Sequence, residues 1–208
     1  MTVTPLVEEV PTPVGTARTS TEGPRGAGTL VLGHGAGGGV DAPDLLAARD
    51  AGLAAGMRVV RVEQPWRVRG ARVAEAPARL DLAWTAILER LDGPLVAGGR
   101  SAGARVACRT AGAVGAVAVL ALAFPLAPPG RPERTRLPEL LAPGVPRLVV
   151  QGSRDAFGVP APAPQLEVHV VAGADHAFAV RRTDGRTAAE VRQEVVDVVT
   201  GWLRQTLT

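Results

Sequence analysis

Apolar residues in this chain fall into short unbroken runs that alternate with segments of helical periodicity. A short apolar run bounded by glycine, proline or charged residues is typical of a strand that is buried on both faces of a sheet. We therefore predict buried strands at residues 29–33, 57–62, 95–98, 117–124, 147–151 and 166–173.

The first two predicted helices separate the early strands. Residues 41–56 can form a helix that either Asp41 or Asp44 caps and that Gly56 ends. After the strand at 57–62, apolar residues recur at the spacing of one face of an amphipathic helix. That face consists of Leu80, Ala83, Trp84, Ile87, Leu88 and Leu91.

Two further helices are predicted later in the chain. Residues 102–111 are rich in small side chains, which allow a helix to approach a sheet closely. The last helix begins at Ala188, where Thr187 and Glu190 have the spacing of a capping box. Its predicted buried face comprises Val191, Val195, Val198 and Trp202.

Strands that alternate with helices indicate a mainly parallel sheet, because parallel neighbours need a crossover connection, which is usually a helix. We predict an α/β fold in which helices cover both faces of a twisted sheet. The chain length favours a single domain over residues 1–208.

Two segments depart from the alternation. Residues 2–10 and 14–20 are separated by prolines and alternate in polarity, which predicts an N-terminal edge hairpin within residues 1–22. Residues 125–146 are rich in proline and charge, with one short helical pattern at 137–141. We predict that this second segment is a short, lid-like insertion over the sheet.

The composition is that of a globular protein, with 46% hydrophobic residues and no apolar run long enough to cross a membrane. The first ten residues lack the basic start and apolar centre of a signal peptide. The single Cys108 cannot form an internal disulfide, and no cysteine or histidine cluster has metal-site spacing. We expect a cytoplasmic protein without membrane partner, metal or cofactor, in which Cys108 serves packing.

The charge pattern argues against a nucleic-acid partner. All 23 basic residues are arginines, and the formal net charge is +3. Nucleic-acid-binding domains concentrate basic residues in one patch and add aromatic side chains for base stacking. Here the arginines are scattered, and the chain has three Trp, three Phe and no Tyr.

Residues 95–104 carry the candidate nucleophile. An apolar strand runs into a helix of small residues through the motif GRSAG, with Ser101 at its centre and Gly99 and Gly103 on either side. A serine on a sharp strand-to-helix turn is accessible to a base and a substrate at once. Glycine on both sides leaves room for that turn. The pattern predicts a nucleophile elbow.

A serine nucleophile needs a general base, for which the chain offers three histidines. His169 lies within a predicted strand, and His34 precedes a glycine-rich loop. His176 directly follows a strand, where parallel sheets place their chemistry. We therefore predict that His176 is the base.

The base in turn needs an acid that fixes its tautomer. Asp155 directly follows the strand at 147–151. Asp175 is the sequence neighbour of His176, a position from which it is poorly placed to orient the ring. We predict a triad of Ser101, Asp155 and His176, in the chain order of the α/β-hydrolases.

The oxyanion of an acyl-transfer intermediate needs main-chain donors. One is the N–H of the residue after the nucleophile, here Ala102. The other comes from the glycine-rich loop at 33–39, through either Ala36 or Gly37. We assign His34 to the structure of this loop rather than to a second base.

The same loop supports a different interpretation. Gly33, Gly35 and Gly38 match a dinucleotide-binding fingerprint, and Glu63 ends the next strand where a ribose-binding acid is found. This alternative leaves the predicted triad without a role, and such a fingerprint usually follows the first strand of its domain. We therefore rank it below a hydrolase.

The segments LVLGHGAGG, GGRSAGAR, FPLAPPGRPE, VQGSRDAFG and GADHAF follow one another in this order. With them the chain resembles the α/β-hydrolase superfamily, and most closely its small dienelactone-hydrolase-like branch, which includes a hydrolase-like subunit of a chromatin acetyltransferase complex. The resemblance runs from Thr29 to the C-terminus and implies an α/β-hydrolase fold with a minimal lid. Dienelactone hydrolases carry cysteine where Ser101 stands, so dienelactone is not implied as the substrate.

These observations predict a serine hydrolase that cleaves small carboxylic esters or thioesters through an acyl-enzyme. The alternative is a non-catalytic binding or scaffold module with the same fold. The sequence leaves the natural substrate and the oligomeric state open.

Overall fold

One eight-stranded sheet organises the computed structural model, which describes residues 4–207. Its strands are β1 Leu6–Thr12, β2 Gly15–Glu22, β3 Thr29–Gly33, β4 Arg58–Glu63, β5 Leu95–Arg100, β6 Ala118–Leu122, β7 Arg147–Gly152 and β8 Leu166–Val171. The spatial order is β1-β2-β4-β3-β5-β6-β7-β8. Pairs among β3 to β8 are parallel, whereas β1 and β2 pair antiparallel. The predicted α/β fold is confirmed.

Helices cover both faces of this sheet. They are α1 Pro43–Ala54, α2 Pro65–Val68, α3 Pro77–Leu88, α4 Ala102–Thr110, α5 Leu137–Leu141 and α6 Ala188–Thr206. Helices α1 and α6 pack together over one hydrophobic core, which includes Leu45 and Trp202. Helices α3 and α4 cover a second core on the other face, which includes Trp84 and Val106. Among the helices formed by residues 4–207, none combines the length and hydropathy needed to span a bilayer.

The N-terminal hairpin lies at one edge of the sheet. Strand β1 pairs with β2 from Leu6 opposite Thr21 to Thr12 opposite Gly15. The prediction separated the two strands at the prolines, but Pro11 lies inside β1. An edge strand tolerates proline, because the missing N–H can face away from the ladder. Residues 1–3 of the predicted hairpin and residue 208 of the predicted domain lie outside the described residues.

The start of α1 differs from its prediction. Its N-cap is Ala42, and no side chain caps the helix. Asp41 and Asp44 instead form ion pairs with arginines on neighbouring strands, so their carboxylates are engaged elsewhere. The predicted end is correct, since Gly56 follows the C-cap with φ +77°, a conformation that favours glycine.

The last helix has the predicted capping box. Thr187 Oγ1 accepts from the Glu190 N–H at 3.2 Å, and Glu190 Oε2 accepts from the Thr187 N–H at 2.7 Å. On its inner face Val199 is fully buried, whereas Val198 is only partly buried. The predicted face is confirmed at Val191, Val195 and Trp202, and only its third position is one residue early. Leu91, predicted on the face of α3, lies beyond the end of that helix. It still packs against the core that α3 and α4 cover.

The insertion at residues 125–146 is short and fixed to the helix that follows the nucleophile. It contains a 3-10 turn at Pro132–Arg134 and the predicted short helix, now α5. Glu139 of α5 accepts two hydrogen bonds from Arg105 of α4, at 2.8 and 2.7 Å, and a third from Arg109 at 3.2 Å. Partial burial would raise the pKa of Glu139, but these arginines outweigh it and hold that pKa below its ordinary value. The insertion is therefore clamped to α4 by these ion pairs.

Three main-chain segments meet with no side chain between them beneath the candidate nucleophile. A Cβ placed on Gly99 would lie 2.5 Å from the Gly33 carbonyl oxygen, and one on Gly103 would lie 2.2 Å from it. Both distances are shorter than any normal contact, so these positions require glycine. The contact holds the ends of β3 and β5 against the first turn of α4.

This contact leads to a stability prediction. Gly103→Ala should lower the free energy of unfolding by about 3 kcal/mol, since the added methyl forces main-chain segments apart. Gly201 is the matched control, because it is also helical but a Cβ there meets nothing within 4 Å. Gly201→Ala should raise the same free energy by about 0.5–1 kcal/mol through helix propensity. Urea denaturation measures both, and equal effects of the two substitutions would contradict the close contact.

Candidate active site

Ser101 occupies the turn between β5 and α4 in a strained conformation. Its φ is 52° and its ψ is −109°, which a non-glycine residue adopts only when its surroundings enforce it. The Ser101 N–H donates to the Leu122 carbonyl of β6 at 2.9 Å, which fixes the turn to the neighbouring strand. The serine therefore lies at the carboxyl edge of the central strands.

The structure brings the predicted base and acid to this serine. His176 Nε2 lies 3.0 Å from Ser101 Oγ, and His176 Nδ1 lies 2.8 Å from Asp155 Oδ2. The three residues come from the ends of β5, β7 and β8. Because Asp155 accepts the Nδ1 proton, Nε2 is left free to accept the serine proton.

The Asp155 carboxylate is surrounded by donors. Its side chain is fully buried. Oδ1 accepts from the Phe157 N–H at 2.8 Å, and Oδ2 accepts from Gln151 Nε2 at 2.7 Å as well as from His176. Gln151 Nε2 also lies 3.1 Å from the Phe124 carbonyl oxygen, so it joins the acid to the end of β6. Both oxygens of this buried carboxylate therefore have hydrogen-bond donors.

The residues on either side of His176 hold its loop in place. Asp175 Oδ1 accepts from the N–H groups of Ala177 and Ala179, at 2.8 and 3.0 Å. Phe178 is buried with φ +58° and anchors the loop in the core beneath α1 and α6. Asp175 thus shapes the loop and does not orient the ring, as expected from the sequence.

The Phe157 ring packs against the imidazole of His176. The two ring centroids are 4.5 Å apart, with an interplanar angle of 43°. Phe157 also accepts from the Ala127 N–H through its carbonyl oxygen at 2.9 Å. The acid loop and the start of the insertion therefore form one wall of the site.

The predicted oxyanion donors lie next to Ser101 and at the tip of the glycine-rich loop. Ala102 is the first residue of α4, where a main-chain N–H has no acceptor within the helix. Ala36 and Gly37 are exposed in a turn, and within residues 4–207 neither of their N–H groups has a main-chain or side-chain acceptor. All three N–H groups are thus free to bind an anion, and the choice between Ala36 and Gly37 stays open.

His34 holds the base of that loop. Its Nδ1 lies 2.8 Å from the Gly35 carbonyl oxygen, and its Nε2 accepts from the Gln64 N–H at 3.1 Å. The two contacts require the neutral tautomer with the proton on Nδ1. Burial lowers the pKa of His34 below its ordinary value, which agrees with a neutral ring. The assignment of His34 to loop structure agrees with this geometry.

Arg100, the residue before the nucleophile, was not predicted to have a role. Its Nε donates to Asp44 Oδ2 at 2.7 Å, and its Nη2 donates to the His176 carbonyl oxygen at 3.0 Å. Burial raises the pKa of Asp44 above its ordinary value, although the Arg100 charge opposes that shift. Gln151 was also missed. The only sequence signal for Gln151 was its position four residues before Asp155. The only signal for Arg100 was a charged side chain within the predicted buried elbow.

The remaining candidates lie elsewhere. Cys108 is buried in α4, and burial raises the pKa of its thiol to about 12, so it is not a nucleophile. His169 on β8 bonds Glu194 of α6 at 2.7 Å. Throughout residues 4–207, no group of three or more acidic, histidine or cysteine side chains has the arrangement of a metal site.

Two spaces adjoin the oxyanion loop. A small cavity behind Ala36 and Ala102 is closed by Trp66 and Trp84 and has a volume of about 10 Å³, room for about one water molecule. On the other side of the loop, an open groove of about 560 Å³ passes Gly38, Asp44, Arg100 and Ala177. The loop therefore has an open groove beside Gly38 and a small, nearly filled cavity behind Ala36.

The buried neutral His34 predicts a pH-dependent stability. Its folded pKa lies below 6.5, so the unfolded chain binds more protons as the pH falls below that value, and the free energy of unfolding must decrease. The loss from this group approaches about 1.4 kcal/mol per pH unit. Urea titrations between pH 5 and 8 should show a shallower loss for His34→Gln than for the wild type. Equal slopes would rule out a buried neutral histidine.

A family model described as an alpha/beta hydrolase domain matches residues 26–204. An alpha-beta serine hydrolase homologue from Coxiella burnetii superimposes with a TM-score of 0.71 at 19% identity, covering 95% of this chain and 99% of that one. A lidless α/β serine hydrolase from Xanthomonas campestris gives 0.73 at 20% identity, with 97% and 96% covered.

The esterase Est1E from Butyrivibrio proteoclasticus, solved with ferulic acid bound, gives a TM-score of 0.73 at 12% identity, with 96% of this chain and 98% of that one covered. At these identities the superpositions show the common fold. The sequence has no match among curated proteins. Because the family model extends over most of the sequence, the chain belongs to the alpha/beta hydrolase domain family.

Proposed function

We propose that this protein is a serine hydrolase that cleaves small carboxylic esters or thioesters through an acyl-enzyme. The observation that carries the proposal is a chain of two hydrogen bonds. His176 Nε2 lies 3.0 Å from Ser101 Oγ, and His176 Nδ1 lies 2.8 Å from Asp155 Oδ2. Ser101 is the nucleophile, His176 the general base and Asp155 the acid that orients the ring.

Acylation begins when His176 Nε2 takes the proton of Ser101 Oγ and the oxygen attacks the substrate carbonyl carbon. Negative charge moves to the carbonyl oxygen, where the N–H of Ala102 and that of either Ala36 or Gly37 bind it. Asp155 stabilises the imidazolium that has formed. The intermediate collapses when His176 returns the proton to the departing alcohol or thiol, which leaves an ester on Ser101.

Deacylation repeats these steps with water. His176 removes a proton from a water molecule, and the resulting hydroxide attacks the Ser101 ester. When the second intermediate collapses, His176 returns the proton to Ser101 Oγ and the carboxylic acid is released. No cofactor or metal takes part in this sequence of steps.

The shape of the site favours short or exposed acyl groups. The cavity behind the oxyanion loop is nearly filled by Trp66 and Trp84, and the insertion is too short to cover a long chain. A site with little apolar wall gains little from burying a long acyl chain. We retain the expectations of a small-molecule substrate, of no nucleic-acid partner and of a cytoplasmic location.

The dinucleotide alternative fits the loop poorly. In a dinucleotide site the glycine-rich turn leads directly into a helix whose N-terminus faces the phosphates. Here α1 begins at Pro43, five residues after Gly38, and Glu63 is ion-paired with Arg18 at 3.2 Å. The likeness to the dienelactone-hydrolase-like branch stays a prediction. The non-catalytic scaffold alternative also stays a prediction, but it gives no role to the hydrogen bonds that join Ser101, His176 and Asp155.

The main test removes the nucleophile. Wild-type protein should hydrolyse p-nitrophenyl esters or acyl-CoA thioesters, with the highest kcat/KM for the shortest chains, and Ser101→Ala should lose at least about 10³-fold in rate. A fluorophosphonate should add to Ser101 in the wild type, and mass spectrometry locates the adduct. Rates equal to those of Ser101→Ala on every substrate, with no adduct on folded protein, would favour the scaffold alternative.

A second test addresses the acid. Asp155→Asn should lower kcat by about 10³–10⁴-fold, because an amide has one acceptor oxygen and cannot accept from the Phe157 N–H, Gln151 and His176 Nδ1 together. The amide NH₂ would face either the Phe157 N–H or Gln151 and His176. Circular dichroism should still show the folded state. A folded Asp155→Asn protein with wild-type kcat would remove Asp155 from the mechanism.

A further inference from the structure

Arg100 is the residue through which the parts of the candidate site contact one another. It precedes Ser101 in sequence, so its main chain is fixed with the nucleophile. Its side chain is only 13% exposed. It donates to Asp44 at the start of α1 and to the carbonyl oxygen of His176. One guanidinium therefore joins the elbow strand, a helix N-terminus and the loop of the base.

The oxyanion loop rests on the same side chain. A Cβ placed on Gly35 would lie 3.4 Å from both Cγ and Nη1 of Arg100, and one on Gly38 would lie 3.6 Å from Nη1. The loop that offers Ala36 and Gly37 therefore runs beside the Arg100 side chain, from Cγ to the guanidinium.

We propose that Arg100 is a positioning residue, which sets the base loop and the oxyanion loop at their working distances from Ser101. This inference rests on the proposed function, since it assigns Arg100 a task within that reaction. The Arg100 hydrogen bonds go to Asp44 and to the His176 carbonyl oxygen, not to the reacting atoms of Ser101 and His176, so it acts through the main chain of His176 and through the loop at 34–38.

The Asp44 partner gives Arg100 its orientation. Its carboxylate side chain is 3% exposed and lies 2.7 Å from Arg100 Nε, while its other oxygen accepts from the Leu45 N–H at 3.0 Å. A buried carboxylate without a cation is strongly disfavoured, so the pair is held together. With Nε fixed to Asp44, the planar guanidinium directs Nη2 at the His176 carbonyl.

Lysine cannot replace this geometry. Its ammonium is a compact charge with donors at one point, whereas the guanidinium spans two acceptors on separate elements. Arg100→Lys can keep the ion pair with Asp44 but cannot also hold the His176 carbonyl. Stability and positioning should therefore separate in this variant.

The experiment compares Arg100→Met and Arg100→Lys with Arg147→Met. Arg147 is the matched control, because it is also a buried arginine that donates to main-chain carbonyls, those of Leu141 and Pro164. It begins β7, at the opposite end of the sheet from Ser101. Its substitution should cost stability without moving the site.

On the best ester of the panel, Arg100→Met should lower kcat by about 10- to 100-fold, because sub-ångström to ångström displacement of reacting groups costs this much. KM should stay within about threefold, since Nε and Nη2 of this largely buried side chain are already bonded to Asp44 and to the His176 carbonyl oxygen. Arg100→Lys should unfold near the wild-type urea midpoint yet keep the deficit in kcat. Arg147→Met should have wild-type kcat. A wild-type kcat in Arg100→Met or in Arg100→Lys, or an equal deficit in Arg147→Met, would overturn the proposal.

Hydrogen exchange supplies a measurement independent of turnover. The N–H groups of Ala177, Phe178 and Ala179 are bonded within the base loop. They should exchange faster in both Arg100 variants and at the wild-type rate in Arg147→Met. Unchanged exchange in the Arg100 variants overturns the proposal, whatever the activity. If the wild type neither hydrolyses esters nor reacts with a fluorophosphonate, the proposed function fails, and exchange still decides whether Arg100 holds the loop.

Discussion

The site depends on a contact between main chains that only glycine permits. Gly33 at the end of β3 touches Gly99 at the end of β5 and Gly103 in the first turn of α4. The glycine-rich loop leaves β3 from this contact, and Ser101 lies on the turn that leaves β5. This contact therefore fixes the point at which the loop leaves β3 relative to the turn that carries Ser101. The strained φ of Ser101 is a consequence, because the helix must begin at once to keep Gly103 in place.

Around this contact, two buried carboxylates are each matched with hydrogen-bond donors, some close in sequence and some from distant parts of the chain. Asp155 is held by Gln151 and a main-chain N–H, and Asp44 is held by Arg100. Each buried carboxylate thereby has hydrogen-bond partners that offset the cost of removing it from water. The donors also reach main-chain carbonyls, those of Phe124 and His176, so the same bonds that satisfy charge connect separate loops.

Much of this arrangement could be predicted from local sequence. Buried strands announce themselves as apolar runs, and in a parallel sheet the residues just after them meet at one edge, which is why the positions of Ser101, Asp155 and His176 could be inferred together. Errors arose where a choice depends on partners far along the chain. Asp44 was a candidate N-cap of α1, but the helix begins before it, and Arg100 of β5 binds one of its oxygens while the Leu45 N–H donates to the other. Gln151 is an ordinary polar residue at the end of a strand until the fold brings Asp155 and Phe124 beside it. Val198 and Val199 are chemically identical, and only the exact rotation of α6 decides which one is buried.

The clamped insertion has a consequence for the fate of an acyl group on Ser101. Glu139 fixes α5 to α4 through Arg105 and Arg109, so the segment above the sheet is tied in one position. A mobile lid excludes bulk water when it closes. In the proposed reaction, an insertion tied in this way would leave the ester on Ser101 open to bulk water, so a competing alcohol or amine would gain no advantage from enclosure. Such a site would favour hydrolysis over transfer of the acyl group to another acceptor.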